Sequence, residues 1–371
     1  MGALGFGCAP IDSNDAPVGY PYNLPAGVPE PYAPSDNPMS AEKARLGRRL
    51  FFDRRLSLNQ TQSCGSCHLP SLAFSDGREV SRGSTGQNTP RNAMGLTNVG
   101  YASALTWANP LQVSLERQVL IPMFGSDPVE LGLSGQENEL LRRLRDDALY
   151  VRMFRVAFPA DADPVTVTNV TRAIASFERT LLSYNAPYDR FIRGDRAAMT
   201  ESAQRGLDLF NSERLECYHC HAGFNFSDAT VHVGAPPRDA AFHNNGLYNI
   251  DGRGAYPEPN RGVFDVSNRP EDMGRFRAPS LRNIELTAPY MHDGSIPTLE
   301  AVIDHYAAGG RRIASGPNAG DGSMSPLKSD LIRGFTLTAQ EREDVLAFLR
   351  SLTDRGFTTD PRFQDPFGNE R

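Results

Sequence analysis

Several things are scarce in this sequence, and each shortage excludes a class of protein. The 371 residues include one tryptophan, five cysteines and seven histidines. The net charge of −6 argues against a nucleic-acid partner, because such surfaces need an excess of lysine and arginine. No apolar run reaches the roughly 20 residues of a membrane-spanning helix. What remains is a chain in which the few cysteines and histidines carry most of the functional information.

Four of the five cysteines fall into two Cys-x-x-Cys-His motifs, SCGSCH and ECYHCH. This spacing is the attachment signature of c-type haem, in which both thiols bond to the haem vinyl groups and the histidine becomes the proximal iron ligand. Two copies in one chain make a chance match improbable. The predicted cofactor-binding residues are Cys64, Cys67 and His68 in the first motif and Cys217, Cys220 and His221 in the second.

Two other uses of Cys-x-x-Cys are weaker interpretations. A zinc ribbon needs two cysteine pairs close enough to share one ion, whereas these pairs are separated by most of a domain. A thioredoxin-like dithiol normally lies in a βαβ pattern, which the sequence around Cys64 lacks. Two covalently bound haem c groups are therefore the first expectation.

The chain organisation predicts a mostly α protein of two cytochrome c-like domains, each with one covalently attached haem and long loops. Residues 1–39 form a proline-rich leader, 40–195 the N-terminal haem domain and 196–371 the C-terminal haem domain. The segment before each haem motif supports duplication, because Gly47, Leu50 and Phe51 are echoed by Gly206, Leu209 and Phe210.

The sequence pattern predicts three helices and one long loop. Ser40 can cap a helix with Glu42 in its first turn, and Thr338 with Glu341 forms a capping box. Ile174, Phe177 and Leu181 form an apolar stripe at helical spacing. Residues 231–276 are rich in Gly, Asn, Pro and Asp and predict a long ordered loop.

The supply of axial ligands predicts different roles for the two haems. His68 is the only histidine before His219, so the first haem has no nearby histidine for its far side. Met94 or Met123 could serve as that ligand, but a lone methionine is more often part of the core packing. We expect this haem to be open and to bind peroxide. For the second haem, Met291, His292, His305 and Tyr306 are candidate ligands that spacing alone does not rank.

The motifs together resemble the bacterial di-haem cytochrome c peroxidase and MauG superfamily from about Leu46 onward. The resemblance is carried by SCGSCH, QNTPRN, DPVELG, CYHCH, GRFRAPSLRNIELTAPYMHDGSIPTLEAV and LRSLT. Peroxidase members have a methionine ligand on the second haem about one turn after TLEAV. At that position this chain has Tyr306, and MauG also has a tyrosine. Peroxidase members also have a histidine between the first motif and NTP, whereas residues 69–88 contain none. Both departures point to the MauG side.

The segments LPAGVPEPYAPSDNPMS and LTWANPLQVSLERQVLIPMFGSDPVELGL resemble the MbnH group of MauG-like enzymes. That resemblance implies a periplasmic enzyme that uses hydrogen peroxide to form a two-iron Fe(IV) state. It further implies oxidation of a tryptophan in a partner protein of the MbnP type to kynurenine. The rival within the family is a cytochrome c peroxidase fed by a small c-type cytochrome or copper protein. The rival from another class is a non-catalytic di-haem electron carrier.

The resemblance also assigns roles to residues outside the haem motifs. It implies that Glu130 is a distal carboxylate for general acid–base work, with Gln118 and Pro122 in the same pocket. It implies that Trp107, the only tryptophan, relays electrons between the haems, although a core position is its usual fate. It finally implies a calcium ion between the domains; the matching residues are Asn88, Thr287 and Pro289.

Export is expected because bacterial c-type haem is attached outside the cytoplasm. The opening residues MGALGFGCAP are too short for a signal peptide and lack its positive segment. Cys8 follows small and apolar residues, so a lipid anchor at Cys8 is a second hypothesis for how the chain is held in the periplasm.

Overall fold

Helices joined by long irregular segments make up most of the fold, and strands are few. A computed structural model describes residues 20–235 and 240–368. The strands form two short antiparallel pairs, β1 (Phe242–His243) with β2 (Phe276–Arg277) and β3 (Arg312–Ile313) with β4 (Gly320–Asp321). In chain order the α-helices are α1 (Ala41–Phe52), α2 (Leu115–Gln118), α3 (Leu120–Phe124), α4 (Glu137–Arg145), α5 (Ala148–Ala157), α6 (Val167–Glu178), α7 (Pro187–Ile192), α8 (Glu201–Phe210), α9 (Phe264–Ser267), α10 (Leu299–Ala307), α11 (Ala339–Ser351) and α12 (Arg355–Thr359).

The predicted helix starts are confirmed by their caps. The Ser40 hydroxyl accepts a hydrogen bond from the Lys43 amide and opens α1. The Thr338 hydroxyl accepts from the Glu341 amide while the Glu341 carboxylate accepts from the Thr338 amide, which completes the capping box of α11. Each cap satisfies amides that a helix N-terminus otherwise leaves without partners.

Two helix pairs cross in the same way, one in each half of the chain. Helix α1 packs against α6, and α8 packs against α11. A Cβ atom on Gly47 would lie 1.8 Å from the carbonyl oxygen of Ala173, and one on Gly206 would lie 1.8 Å from that of Asp344. Only glycine permits so close an approach of two helix backbones. The matching crossings agree with the internal repeat that the sequence predicts.

The buried apolar residues form two large clusters. The first is built on α1 and α6 and the second on α8 and α11. Phe357 and Phe363, near the end of the described chain, nevertheless belong to the first cluster, so the C-terminal segment packs back onto the N-terminal half. The division at residues 195 and 196 stays a prediction.

Two expectations are modified by the structure. Helix α6 ends at Glu178, so Leu181 lies in the following turn, where it is still fully buried. The segment 231–276 is irregular over most of its described length, but it contributes β1, β2 and the short helix α9.

Residues 20–39 of the leader contain no helix or strand and run against the first half of the protein. The Pro29 carbonyl accepts a hydrogen bond from the Tyr101 hydroxyl. Buried Asn37 donates to the Glu116 carboxylate. The proposed lipid anchor, Cys8, lies outside the described residues. None of the described helices is long and apolar enough to cross a membrane.

Candidate haem sites

Both proximal-ligand candidates are oriented by the same contact. Each motif begins with a single turn of 3-10 helix, after which the chain folds back on its histidine. His68 Nδ1 lies 2.7 Å from the Phe74 carbonyl oxygen, and His221 Nδ1 lies 3.1 Å from that of Phe226. A carbonyl can only accept, so Nδ1 carries the proton in both rings. Each Nε2 therefore keeps its lone pair for a metal, the arrangement typical of ligating histidines.

The backbone at the two phenylalanines explains how the carbonyls reach the rings. Phe74 and Phe226 have φ angles of +64° and +51°, in the left-handed region that residues with side chains seldom adopt. Both rings are buried in the apolar clusters, and this packing holds the turn in place. The repeat therefore extends from the helix crossings to the histidine-orienting turns.

The thiols do not have the character of a reactive dithiol. The four motif cysteines form no disulfide in the described chain. Burial raises the pKa of Cys64, and it raises that of Cys67 to about 11 and that of Cys217 to about 12. Redox-active cysteines need a lowered thiol pKa. The raised pKa values of these three thiols therefore argue against redox-dithiol chemistry.

A cavity adjoins the second motif, and its walls suit a haem. Cys217, Cys220 and His221 line it together with apolar side chains of α8, α10 and α11. Three of the four candidate sixth ligands also line the cavity, and His305 is not among the lining residues. The three are Met291, His292 and Tyr306.

Tyr306 projects into this cavity from α10, next to Asn245. Burial raises the pKa of Tyr306 to about 12, and a hydrogen bond with the Asn245 side chain opposes that rise. The same Asn245 amide lies 3.3 Å from the Met291 sulfur, to which it can donate. Asn245 therefore contacts both the tyrosine and the methionine that compete for the position.

The two histidines of this segment are held in other ways. The His305 Nε2 atom lies 3.1 Å from the Asn245 carbonyl oxygen and donates to it. The His292 ring stacks on Phe276 with centroids 3.6 Å apart and planes 10° apart, and its Nε2 has no described partner. Burial lowers the pKa of each imidazole to about 4, so both are neutral at physiological pH.

The distal residues predicted for the first haem come together around α2 and α3. Gln118 ends α2, and its side-chain oxygen is buried without a described partner. The Leu131 amide donates to the Pro122 carbonyl at 2.9 Å, which ties the DPVELG segment to α3. The main cause of the raised pKa values of Cys64 and Cys67 is burial, and the negative charge of Glu130 is one of the smaller causes. Glu130 therefore lies near the first motif.

Glu130 is held by its backbone rather than by a salt bridge. The Ser84 amide donates to the Glu130 carbonyl at 2.7 Å, and the Gln87 side chain accepts from the Val129 amide at 2.7 Å. A Cβ atom on Gly83 would lie 2.0 Å from the Val129 carbonyl oxygen, so this packing requires glycine there. Burial raises the pKa of the Glu130 carboxyl.

One acidic residue near the first motif was missed by the sequence analysis. Glu178 is the last residue of α6, its Oε2 is buried without a described partner, and burial raises its pKa to about 8. After burial, its charge is the largest contribution to the raised pKa of Cys64. The signal was available, because Glu178 lies four residues after Ile174 of the apolar stripe and therefore falls on the same, buried helix face.

Trp107 lies in the wall of the cavity at the second motif and packs against the second apolar cluster. Its indole nitrogen donates to the Asn92 carbonyl at 2.9 Å. Met94 lines the same cavity, and its backbone interacts with the His68 ring. The Met94 sulfur faces Arg277, and Met123 is fully buried in the first apolar cluster. Core or wall packing accounts for both methionines.

The predicted calcium residues are only partly assembled. Thr287 and Pro289 line the cavity, whereas Asn88 is exposed and forms a β-bridge with Arg82. Asn92, four residues later, does line the cavity. Its side-chain nitrogen donates to the Arg78 carbonyl at 2.6 Å, which leaves its side-chain oxygen available.

Comparison with known proteins decides the family. Residues 41–197 match the family model described as di-haem cytochrome c peroxidase. The chain is 35% identical to cytochrome-c peroxidase IdrP1 of Pseudomonas sp. (strain SCT), over 88% of this chain and 85% of that protein. The chain belongs to the di-haem cytochrome c peroxidase and MauG family. It is also 34% identical to the methylamine utilization protein MauG of Methylorubrum extorquens, over 89% of this chain and 83% of that protein.

The solved structures agree with this membership of the di-haem peroxidase and MauG family. The crystal structure of a MauG-like protein associated with microbial copper homeostasis is 54% identical and has a TM-score of 0.91. It matches 93% of this chain and 99% of that one. Residues 275–308, which include Tyr306, match a second model, RoxA-like, cytochrome c-like. The family predictions are therefore confirmed at this level: the protein is an oxidoreductase of the di-haem type, and its family implies two haem c groups.

Proposed function

We propose that this protein is a MauG-type enzyme that uses hydrogen peroxide to oxidise a tryptophan of a partner protein. The observation that carries the proposal is that Tyr306 lines the same cavity as His221. His221 and Tyr306 would hold the second haem, and a phenol oxygen as ligand would favour oxidised iron, whereas a methionine sulfur favours reduced iron. A tyrosine here therefore suits an enzyme that stores oxidising power for a protein substrate.

The first site provides the groups that move protons. When bound, the two haems would supply the redox chemistry: peroxide is the oxidant at the first, and the second stores an oxidising equivalent and transfers electrons. Glu130 takes a proton from incoming peroxide and returns it to the departing oxygen, the usual work of a carboxyl with a raised pKa. Gln118 offers a buried side-chain amide oxygen to which no donor of the described chain bonds. His68 Nδ1 stays bonded to the Phe74 carbonyl, which keeps the ring aligned.

Trp107 connects the two sites in this proposal. Its indole nitrogen is fixed by the Asn92 carbonyl, and its own carbonyl accepts from the Arg277 amide at 2.8 Å. A residue held both at its ring nitrogen and at its backbone carbonyl keeps a constant distance to each neighbour, as an electron relay requires.

The remaining assignments extend the proposal. Residues 40–195 form the peroxide domain and 196–371 the electron-transfer domain. The protein works in the periplasm, and Cys8 is its candidate lipid anchor. The substrate is a protein of the MbnP type, in keeping with the copper homeostasis associated with the 54% identical relative. A calcium ion bound near Thr287 and Pro289 would be better served by Asn92 than by exposed Asn88.

The alternative is a cytochrome c peroxidase that takes electrons from a small c-type cytochrome or copper protein. Met291 favours it, because the methionine lines the same cavity as Tyr306 and has its sulfur beside Asn245. If Met291 were the ligand, the second haem would resemble that of the peroxidase members of the family.

One experiment separates the two functions. The holoprotein is incubated with peroxide and an MbnP-type protein, and the partner is analysed by peptide mass spectrometry. We expect conversion of one tryptophan to kynurenine, and no conversion when a phenylalanine replaces it. Fast peroxide turnover that depends on a reduced cytochrome, with an unmodified partner, would instead establish the peroxidase.

A further inference from the structure

Arg277 is a buried cation in the wall of the cavity at the second motif. Its side chain is 8% exposed and lines the cavity together with Cys217 and His221. Its Nε donates to the Thr106 carbonyl at 3.3 Å, and its Nη2 lies 3.3 Å from the Met94 sulfur. Both acceptors are neutral, and the contact with the Thr106 oxygen is long, so the positive charge of the guanidinium has no charged partner in contact within the described chain.

The nearby carboxylates of the described chain already have other partners. Asp228 attracts Arg277 from a distance and does not contact it. Its Oδ2 lies 2.6 Å from His243 Nε2 and forms an ion pair with that ring, while its Oδ1 has no described partner. Asp189 contacts Arg282, a second buried arginine in the wall of the same cavity. Burial lowers the pKa of Arg277 to about 10, so it remains charged at physiological pH without an adjacent carboxylate.

Arg282 is a buried arginine in the same wall whose charge is paired with a carboxylate. Its guanidinium donates to both Asp189 oxygens at 3.0 and 3.1 Å and also to the Phe224 carbonyl. Buried charges are normally paired in this way, because an unpaired one strongly destabilises the fold. Arg277 therefore needs an anion that the protein itself does not provide at contact distance in the described chain.

We propose that Arg277 binds a carboxylate inside this cavity, namely a propionate of the haem attached at Cys217 and Cys220. The planar guanidinium matches a carboxylate with two parallel hydrogen bonds. Because the Arg277 amide also donates to the Trp107 carbonyl, this pair fixes the haem edge relative to the tryptophan. Arg277 is thus a positioning residue, and the inference rests on the proposed haem site but not on tryptophan oxidation.

The test compares Arg277→Met, Arg277→Lys and Arg275→Met in the holoprotein. Arg275 is two residues away, is 42% exposed in its side chain and pairs with Asp272, so it is a matched control for loss of one positive charge. The readout is the propionate bending band in the resonance Raman spectrum of the second haem. We expect the band to shift in Arg277→Met, to return toward its original position in Arg277→Lys and to stay unchanged in Arg275→Met.

A redox titration at mildly alkaline pH, where a freed propionate stays ionised, gives a second readout. Loss of a nearby positive charge favours the ferric state. At a fixed applied potential, the ferric-to-ferrous ratio of the second haem should rise about tenfold in Arg277→Met. This corresponds to a fall of ~59 mV in the reduction potential of a one-electron couple. It should change much less in Arg275→Met, because that charge is exposed and screened.

The outcomes separate this inference from the haem site itself. A chain whose mass shows no haem at the second motif would refute the proposed site. A chain with both haems and an unshifted propionate band in Arg277→Met would refute only the pairing. If added acetate protected Arg277 of the wild-type holoprotein from an arginine-modifying reagent while the band stayed unshifted in Arg277→Met, the site would belong to a free carboxylate and the haem pairing would be overturned.

Discussion

Replacing Glu178 by glutamine should stabilise the protein increasingly as the pH rises. The usual pKa of a glutamate is 4.5, and burial raises that of Glu178 to about 8. The folded state therefore keeps the proton between these values while the unfolded state loses it, so wild-type stability falls as the pH rises through this window. The full difference of about 3.5 in pKa corresponds to roughly 5 kcal/mol, reached above pH 8.

Glutamine has nearly the shape of the protonated acid and cannot ionise, so the variant should escape this loss. The assay is guanidinium denaturation followed by circular dichroism at acidic, neutral and alkaline pH. Between pH 5 and pH 9 we expect the free energy of unfolding of the variant to rise by about 4 kcal/mol relative to that of the wild type. Glu343, an exposed residue of α11, provides the control substitution to glutamine, for which the difference should not depend on pH in this way. A Glu178→Gln protein whose stability difference from wild type is the same at every pH would refute the reasoning.

Three other predictions address attachment, catalysis and packing. The double variant Cys64→Ala, Cys67→Ala should lose one of two acid-resistant haems and its peroxide response, as measured by pyridine haemochrome assay; an unchanged haem count would rule out this attachment site. Glu130→Gln should retain both haems but slow the stopped-flow reaction with peroxide by about two to four orders of magnitude; a wild-type rate would remove Glu130 from the mechanism. Gly206→Ala should lower the free energy of unfolding by about 1–3 kcal/mol, because its Cβ would overlap the Asp344 carbonyl oxygen. Gly47→Ala should do the same at the Ala173 carbonyl, and a loss in only one of the two would contradict the repeat.

The features that could be predicted from sequence depend on short-range patterns. Such patterns occupy a few consecutive residues and can be recognised without knowledge of the fold; they include the haem motifs, the caps at Ser40 and Thr338 and each half of the glycine repeat. The family resemblance then supplied Tyr306 and Trp107, which local chemistry alone did not rank above their neighbours.

The features that were missed depend on contacts between distant segments. Arg277 is significant only because no carboxylate of the described chain reaches it, which is a property of the folded wall. Asn245 contacts Met291 and Tyr306, which lie 46 and 61 residues further along the chain. The difference between Asn88 and Asn92 likewise appears only when exposure and cavity lining are known.

The central claim is that Tyr306 ligates the second haem iron, and Tyr306→Phe tests it most directly. The substitution removes the phenol oxygen and keeps the ring that packs in the cavity. The measurement is the electron paramagnetic resonance spectrum of the ferric holoprotein, with His305→Phe as the matched control. The account predicts that Tyr306→Phe replaces the low-spin signal of the second haem, that His305→Phe retains it, and that peroxide still binds at the first haem. An unaltered low-spin signal in Tyr306→Phe would show that Met291 or another group is the ligand, and would contradict the MauG-type function.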